Sequence, residues 1–292
     1  MISEKTPYTF TAMATSPNQM GPTRTLSRRE AELVSWLEVE RPKSVSLAEI
    51  SSALDWPQKR TYSVTSRLVM KGWLHRTRAG HYEPLLGESA GILVPNPWVA
   101  LTSWKVPHYV ALSSAAYEHN LIPDRPGAVQ VCVPIGTTAP AGWQELAIML
   151  VPRRAFRLDG SRLTEAHGVT VRLAGIERVL LDSATMPGRV GGVFGLARIV
   201  DRGHKQADWR RFVELAKKTT RGAAAARRIA ALLEILGQKV PPALAKLASA
   251  KKGAAPIYLG STRVHGRRGE ILPRWRVQLN VSPEALREEV TR

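Results

Sequence analysis

The stretch from Gln58 to Met70 combines residue types that bind nucleic acid with the spacing of a helix. At about 100° per residue, five cationic or small hydroxyl side chains fall within an arc of roughly 120°. These are Lys59, Arg60, Ser63, Ser66 and Arg67. Arginine and lysine donate to phosphates and guanine edges, and serine allows close approach to a groove. Thr61, Val64 and Leu68 lie opposite, where a helix packs on its domain. The pattern favours a DNA-reading helix over an ordinary solvated one.

The segment before this stretch predicts two further helices. Ser27 with Glu30, and Ser46 with Glu49, have the spacing of a capping box, which closes the first turn of a helix. The turn-forming residues 55–57 separate the second predicted helix from the third. Three helices in this order are typical of a helix-turn-helix domain.

The segment after this stretch predicts a β-hairpin. Residues 73–83 contain two short strand-like runs around a tight turn at Ala79-Gly80. Arg76 and Arg78 flank the tip, where the wing of a winged helix touches the DNA backbone. The pattern of helices and hairpin resembles the winged helix-turn-helix of bacterial transcription factors.

The charge of the chain points to a polyanionic partner. Over 292 residues the formal net charge is +18, and the isoelectric point is near 10.7. Residues 22–84 carry 11 Lys and Arg against 7 Asp and Glu, whereas residues 85–292 carry 30 against 16. A balance this basic favours nucleic acid over a membrane surface.

Paired basic residues recur through the second half of the chain. Those at 210–211, 217–218 and 221 are expected to form one cationic patch around a helix end, and the pair Arg227-Arg228 adds to the basic surface. Residues 260–270 form a basic, glycine-rich loop that can lie along phosphates. We therefore expect phosphate or partner contacts at Arg210, Arg211, Lys217, Lys218, Arg267 and Arg268.

No catalytic or metal-binding pattern stands out. Glu177 and Asp182 are five residues apart, which places them poorly for a paired-carboxylate site. Glu177 and Arg178 are interpreted as a helix-dipole complement and a solvated cation. The glycines between 188 and 195 lack the lysine of a phosphate-binding loop and favour a helix start. The histidines are scattered. We expect no enzyme activity, no cofactor and no metal.

Cys132 is the only cysteine, so no disulfide can form within the chain. It sits in an apolar run typical of a buried, inert thiol. No apolar run reaches the roughly 18 residues of a transmembrane helix, and the first residues lack the order of a signal peptide. We expect a cytoplasmic protein without membrane contact.

The chain is predicted to be α+β, with a winged helix-turn-helix domain followed by a larger mixed α+β domain. We expect a mobile tail over 1–25, the winged domain over 26–85, an ordered linker of short extended pieces over 86–108 and a basic domain over 109–292. Strands are expected over 128–135, 146–151, 156–158 and 169–173.

Three strings in the second half resemble the AbiEi-type antitoxins. They are IERVLLDSATMPGRVGGVFGLARIV from residue 176, RRIAALLEILG from residue 227 and LSSAAYEHNL from residue 112. In that family a Glu-Arg-x-Leu-Leu-Asp helix leads into a Gly-Gly helix start. Val179 stands where a threonine is common, a small departure.

The resemblance implies an antitoxin of a toxin-antitoxin pair. Its winged domain would repress the shared operon by binding repeats in double-stranded DNA at its own operator. Its partner would be a cognate AbiEii-like nucleotidyltransferase toxin, and the second domain would support antitoxicity. A winged-helix protein that processes nucleic acid or binds RNA is the alternative.

Overall fold

The structure is a computed structural model that describes residues 26–86, 96–140, 143, 146–250 and 254–291. Within these residues the chain forms 12 α-helices and 11 β-strands in three sheets. The α+β class predicted from the sequence is therefore confirmed. The predicted tail over 1–25 lies outside the described residues. None of the helices in the described part is long and apolar enough to cross a membrane.

The chain divides into two compact units. Of the described residues, those from 26 to 76 and from 80 to 86 belong to the first unit, and 77–79 and those from 96 onward belong to the second.

The first unit alternates helices with short strands. Its elements are α1 (Arg28–Glu40), β1 (Val45–Ser46), α2 (Leu47–Ala53), α3 (Gln58–Met70), β2 (Leu74–Arg78) and β3 (His81–Pro84). The last two residues of β2 are grouped with the second unit. Both predicted capping boxes form, because the Ser27 amide donates to Glu30 at 2.7 Å and the Ser46 amide donates to Glu49 at 2.6 Å. Helices α1 and α2 therefore begin where their local sequence predicts.

A three-stranded sheet covers the helices of the first unit, in the order β1-β3-β2. β1 and β3 are antiparallel, with Val45 opposite Tyr82. Gly80 turns the chain between β2 and β3 with a φ of 74°, a conformation that favours glycine. One apolar core joins helices and sheet, and its fully buried members include Leu33, Leu37, Ile50 and Leu68. The winged helix-turn-helix assignment of this unit stays a prediction.

The second unit contains the remaining elements. They are α4 (Pro97–Thr102), β4 (Tyr109–Val110), α5 (Leu112–Glu118), β5 (Val129–Pro134), β6 (Ile148–Arg153), β7 (Ser161–Ala166), β8 (Val169–Ala174), α6 (Ile176–Thr185), α7 (Gly192–Gly203), α8 (Trp209–Lys217), α9 (Gly222–Ile235), α10 (Pro242–Ala248), β9 (Ile257–Tyr258), α11 (Thr262–His265), β10 (Ile271–Leu272), β11 (Val277–Gln278) and α12 (Pro283–Thr291).

The main sheet of the second unit is mixed, in the order β6-β5-β4-β8-β7. The β5–β6 and β4–β8 pairs are parallel, and the β4–β5 and β7–β8 pairs are antiparallel. Of the predicted strands, 156–158 is wrong, because β7 lies at 161–166 instead. As an edge strand with few apolar side chains, β7 lacks the pattern of a buried strand.

Helix α4 occupies part of the predicted linker, where short extended pieces were expected. It begins after Asn96, whose side chain accepts from the Trp98 amide at 3.0 Å. Trp98, Val99 and Leu101 are buried in the core of the second unit. These three side chains are therefore buried as part of a helix, and the extended structure expected for residues 97–102 is wrong.

The glycines around residue 191 have structural causes. Gly191 adopts a φ of 84° before the first residue of α7. A Cβ on Gly195 would lie 1.7 Å from the Val190 carbonyl oxygen, so only glycine fits. The glycine-rich string therefore turns the chain and lets it pack closely at the start of α7.

Candidate nucleic-acid interface

Helix α3 turns its predicted cationic face away from the core of the first unit. Lys59, Arg60, Ser63 and Arg67 are exposed, and Ser66 is half-buried. The opposite face is buried through Thr61, Val64, Thr65 and Leu68. The helical spacing thus correctly separates the exposed side chains from the packed ones.

The buried threonines of α3 are satisfied within the helix. Thr65 Oγ1 donates to the Thr61 carbonyl at 2.9 Å, and Thr61 Oγ1 donates to the Pro57 carbonyl at 3.4 Å. Both hydroxyls therefore sit in the core without an unpaired polar atom.

Tyr62 widens the exposed face of α3 and was not singled out from the sequence. Its side chain is 51% exposed. At about 100° per residue it lies roughly 40° beyond Ser66 on the helical wheel. An aromatic residue in a helix is more often part of the hydrophobic core. Only the position of Tyr62 on the helical wheel indicates that it extends the cationic face.

Glu30 connects α1 to α3 through a buried charge network. Its side chain is 1% exposed. Glu30 Oε1 accepts from Arg67 Nε at 3.1 Å, and Oε2 accepts from Lys71 Nζ at 2.6 Å. Burial raises the pKa of Glu30, but hydrogen bonds from Lys71, Ser27 and Arg67 outweigh it and lower the pKa to about 2.

Arg67 is therefore held in place as well as exposed. Its Nη1 also donates to Ser63 Oγ at 3.1 Å. The sequence predicted Arg67 as a free groove-facing cation, and this network was missed because Glu30 was interpreted only as a capping residue. The 37 residues that separate Glu30 and Arg67 hide the contact from any local pattern.

The two arginines predicted for the wing differ in exposure. Arg76 is exposed, whereas Arg78, next to the turn, is half-buried. Both lie on β2. Arg76 is thus the more accessible of the two for a contact with phosphate.

The basic residues of α8 form a stripe along the helix, so the expected patch around one helix end is wrong. Arg210 and Arg211 lie in the first turn, while Lys217 and Lys218 lie at the other end, about 10 Å along the axis. All four are exposed. Glu214 lies between them and pairs with Lys217 at 2.9 Å.

Arg227 and Arg228 are structural, which corrects their assignment to the basic surface. Arg227 donates to the carbonyls of Trp275, Ala255 and Arg276. Burial lowers the pKa of both guanidinium groups.

Arg228 donates to the carbonyls of Tyr258 at 3.2 Å and Ala184 at 3.0 Å. The two arginines thus tie helix α9 to the small sheet, whose order is β10-β11-β9.

The basic segment over 260–270 was predicted to be a loop throughout, but it contains helix α11. Two amide side chains hold this segment. Asn280 Nδ2 donates to the Gly260 and Gly266 carbonyls at 3.2 and 2.9 Å, and Asn280 Oδ1 accepts from the Gly260 amide at 2.8 Å. Gln278 Nε2 donates to the carbonyls of Arg267 and Gly269.

Three side chains of this segment are exposed cations: Arg263, Arg267 and Arg268. Arg263 was not among the predicted contacts, although it lies in the same segment, on helix α11. Because the side-chain amides of Asn280 and Gln278 fix the backbone of this segment, the three arginines extend from a well-defined backbone.

Arg178 is buried, so its interpretation as a solvated cation is wrong. It is 3% exposed, and its Nε donates to Asp182 Oδ2 at 2.9 Å. Its Nη2 donates to the Tyr109 hydroxyl at 2.7 Å, and that hydroxyl donates to Asp182 at 2.9 Å. Burial and the Asp182 charge raise the pKa of Tyr109. This cluster is enclosed and holds α6 against β4.

Glu177, next in the chain, faces another way. Its Oε1 accepts from the Asp208 amide at 2.9 Å, which ties the start of α6 to the start of α8. Across the described residues, no group of three or more His, Cys, Asp or Glu could hold a metal ion.

Comparison with known proteins gives a shared fold. The crystal structure of the RV2827C protein from Mycobacterium tuberculosis is similar to this chain, with a TM-score of 0.67 and 20% sequence identity. The match covers 91% of this chain and 95% of that chain. No protein-family model and no curated protein matches the sequence. At this level of identity the likeness concerns the fold alone.

Proposed function

We propose that the protein is a DNA-binding repressor whose first unit is a winged helix-turn-helix domain. The observation that carries the proposal is the exposed face of α3, where Lys59, Arg60, Ser63 and Arg67 face solvent above a single buried core. In this assignment α3 is the recognition helix, and the β2–β3 hairpin is the wing.

The dimensions of α3 suit the major groove. An α-helix with its side chains is about 10–12 Å across, and the major groove is about 12 Å wide. The small side chain of Ser63 at the centre of the exposed face allows the helix to approach the groove closely. The cations around it reach base edges or phosphates. Arg76 on β2 supplies a backbone contact, with Arg78 beside it.

The second unit adds charge to the same complex. The stripe along α8 and the segment over 260–270 both present exposed cations. Each phosphate contact steepens the fall of log K with log salt by about 0.9. The proposed phosphate contacts of the second unit therefore contribute DNA affinity that depends strongly on salt concentration and little on DNA sequence.

The proposed biological role is that of an antitoxin. It rests on the resemblance to the AbiEi-type antitoxins, and the basic second unit offers a surface for a cognate AbiEii-like nucleotidyltransferase toxin. The repressed operon would be the protein's own.

The first experiment compares binding to the duplex directly upstream of the gene with binding to a scrambled duplex, at two salt concentrations. The full chain, a Lys59→Ala/Arg60→Ala variant and an Arg210→Ala/Arg211→Ala control run side by side. The two variants remove the same charge from different units. Loss of preference for the upstream duplex in the α3 variant alone supports the proposal. Equal binding to both duplexes by the unaltered protein refutes it.

The antitoxin role has its own experiment. The gene adjacent to this one is expressed alone and together with the full chain, and growth is measured. Rescue supports the role, and no rescue leaves DNA binding without antitoxicity. A single-stranded RNA of the upstream sequence is included in the binding assay, and preference for that RNA favours the alternative function.

A further inference from the structure

Two N–H groups of Arg67 are already used inside the first unit. Its Nε donates to Glu30 Oε1 and its Nη1 donates to Ser63 Oγ, both at 3.1 Å. The side chain is still 45% exposed. Since a guanidinium has five N–H groups, three donors remain on Nη1 and Nη2. Among the residues that the structure describes, two donors of Arg67 are bound by Glu30 and Ser63, and the remaining donors on Nη1 and Nη2 make no hydrogen bond.

The acceptor that holds Arg67 is itself fixed. Glu30 is 1% exposed, and its Oε2 accepts from the Ser27 amide at 2.7 Å and from Lys71 Nζ at 2.6 Å. The carboxylate therefore takes three hydrogen bonds from three residues. Rotation would break a helix cap, an ion pair or both, so Glu30 is a rigid support for the guanidinium.

We infer that Glu30 is a positioning residue for base recognition, which orients the free Nη1 and Nη2 tip of Arg67 toward a guanine in the major groove. Bidentate contact with guanine O6 and N7 is the commonest specific arginine contact, and it needs these two nitrogens in one plane. A guanidinium held in advance loses less freedom when it binds. The inference rests on the proposed function of α3.

Positioning and simple charge give different results when Glu30 is removed. Arg67 keeps its positive charge without Glu30, so attraction to phosphates is kept or increases. Only the orientation of the guanidinium is lost. The expected signature is weaker discrimination between sequences at unchanged affinity for unrelated DNA.

The experiment selects bound duplexes from a random-sequence library with the full chain and with three variants. Glu30→Met removes both acceptor oxygens at similar length. Arg67→Lys keeps the charge but loses the planar fork. Lys71→Met removes the other cation on Glu30 and leaves the Arg67 contact in place, so it is the matched control. Circular dichroism confirms that each variant is folded.

The unaltered protein and Lys71→Met are expected to select the same motif. Glu30→Met and Arg67→Lys should lose preference at the same one or two base pairs. On the selected duplex their affinity should fall about tenfold, since a good bidentate contact discriminates by about 1–3 kcal/mol. If Glu30→Met does not fold, Glu30→Gln replaces it, because one amide oxygen cannot serve three donors.

Each other outcome overturns the inference in a recognisable way. A Glu30 variant that keeps the full motif, while Arg67→Lys loses part of it, shows that Arg67 reads a base without support. Loss of the motif in Lys71→Met as well shows that the network only stabilises the domain. Absence of any motif for the unaltered protein removes the proposed function, and the inference with it.

Discussion

Replacing Asp182 by Asn should destabilise the second unit by several kcal/mol. Asp182 is fully buried and Arg178 is 3% exposed, with 2.9 Å between Arg178 Nε and Asp182 Oδ2. At an effective dielectric constant of about 20, that distance corresponds to about 6 kcal/mol of attraction. Asparagine keeps the size of the side chain but removes the counter-charge of the buried Arg178, and also that of Arg153, whose Nη2 lies 3.5 Å from Asp182 Oδ1. Breaking such a pair costs about 3–5 kcal/mol.

A double variant tests whether the uncompensated charge is the cause. Arg178→Met/Asp182→Asn removes the closest charge pair and keeps an acceptor for the Tyr109 hydroxyl, which donates to Asp182 at 2.9 Å. Arg153, whose side chain is 14% exposed, keeps its charge in both variants. Replacing a whole buried ion pair is often nearly neutral. The double variant should therefore be more stable than Asp182→Asn alone.

The assays are urea unfolding and thermal unfolding, both followed by circular dichroism, with Glu165→Gln as a control that neutralises an exposed carboxylate. A loss of about 4 kcal/mol lowers the melting temperature of a unit of this size by about 8–16 °C, while the control should change stability by less than about 0.5 kcal/mol. A loss below about 1 kcal/mol for Asp182→Asn would refute the reasoning. So would a double variant no more stable than the single one.

Three further predictions concern both units. Because the pKa of Glu30 falls from 4.5 unfolded to about 2 folded, its contribution is complete above pH 4.5 and lost as the pH falls toward 2. In urea unfolding at pH 6, the free energy of unfolding of wild type should exceed that of Glu30→Gln by about 3 kcal/mol. This difference should vanish at low pH, and a difference that does not change with pH contradicts the prediction. Arg263→Gln/Arg267→Gln/Arg268→Gln should reduce the slope of log K against log salt by up to about 2.7, and an unchanged slope places the phosphate contacts elsewhere. Burial raises the pKa of Cys132 to about 12, so at pH 8 the native protein carries roughly 1000-fold less thiolate than the unfolded chain, and a thiol reagent should modify it correspondingly more slowly; equal rates contradict the buried position.

Local patterns predicted the first unit well. The two capping boxes depend on residues three apart, so Ser27 with Glu30 and Ser46 with Glu49 can be read directly from the chain. The exposed and buried faces of α3 follow from helical spacing alone, because each residue adds a fixed rotation. Strand β7 was missed because its side chains are half exposed and carry no apolar alternation.

The sequence by itself determined the α+β class, the starts of α1 and α2, and which side of α3 faces solvent, since these depend on neighbours within one or two helical turns. Only the tertiary structure decided what individual charges do. Arg178 meets Tyr109 across 69 residues, Arg227 meets Trp275 across 48, and Glu30 meets Lys71 across 41. A charged side chain looks the same in the sequence whether it is solvated or paired. Its role is decided by which distant group the fold brings within hydrogen-bond distance, because burial makes an unpaired charge costly and a paired one tolerable.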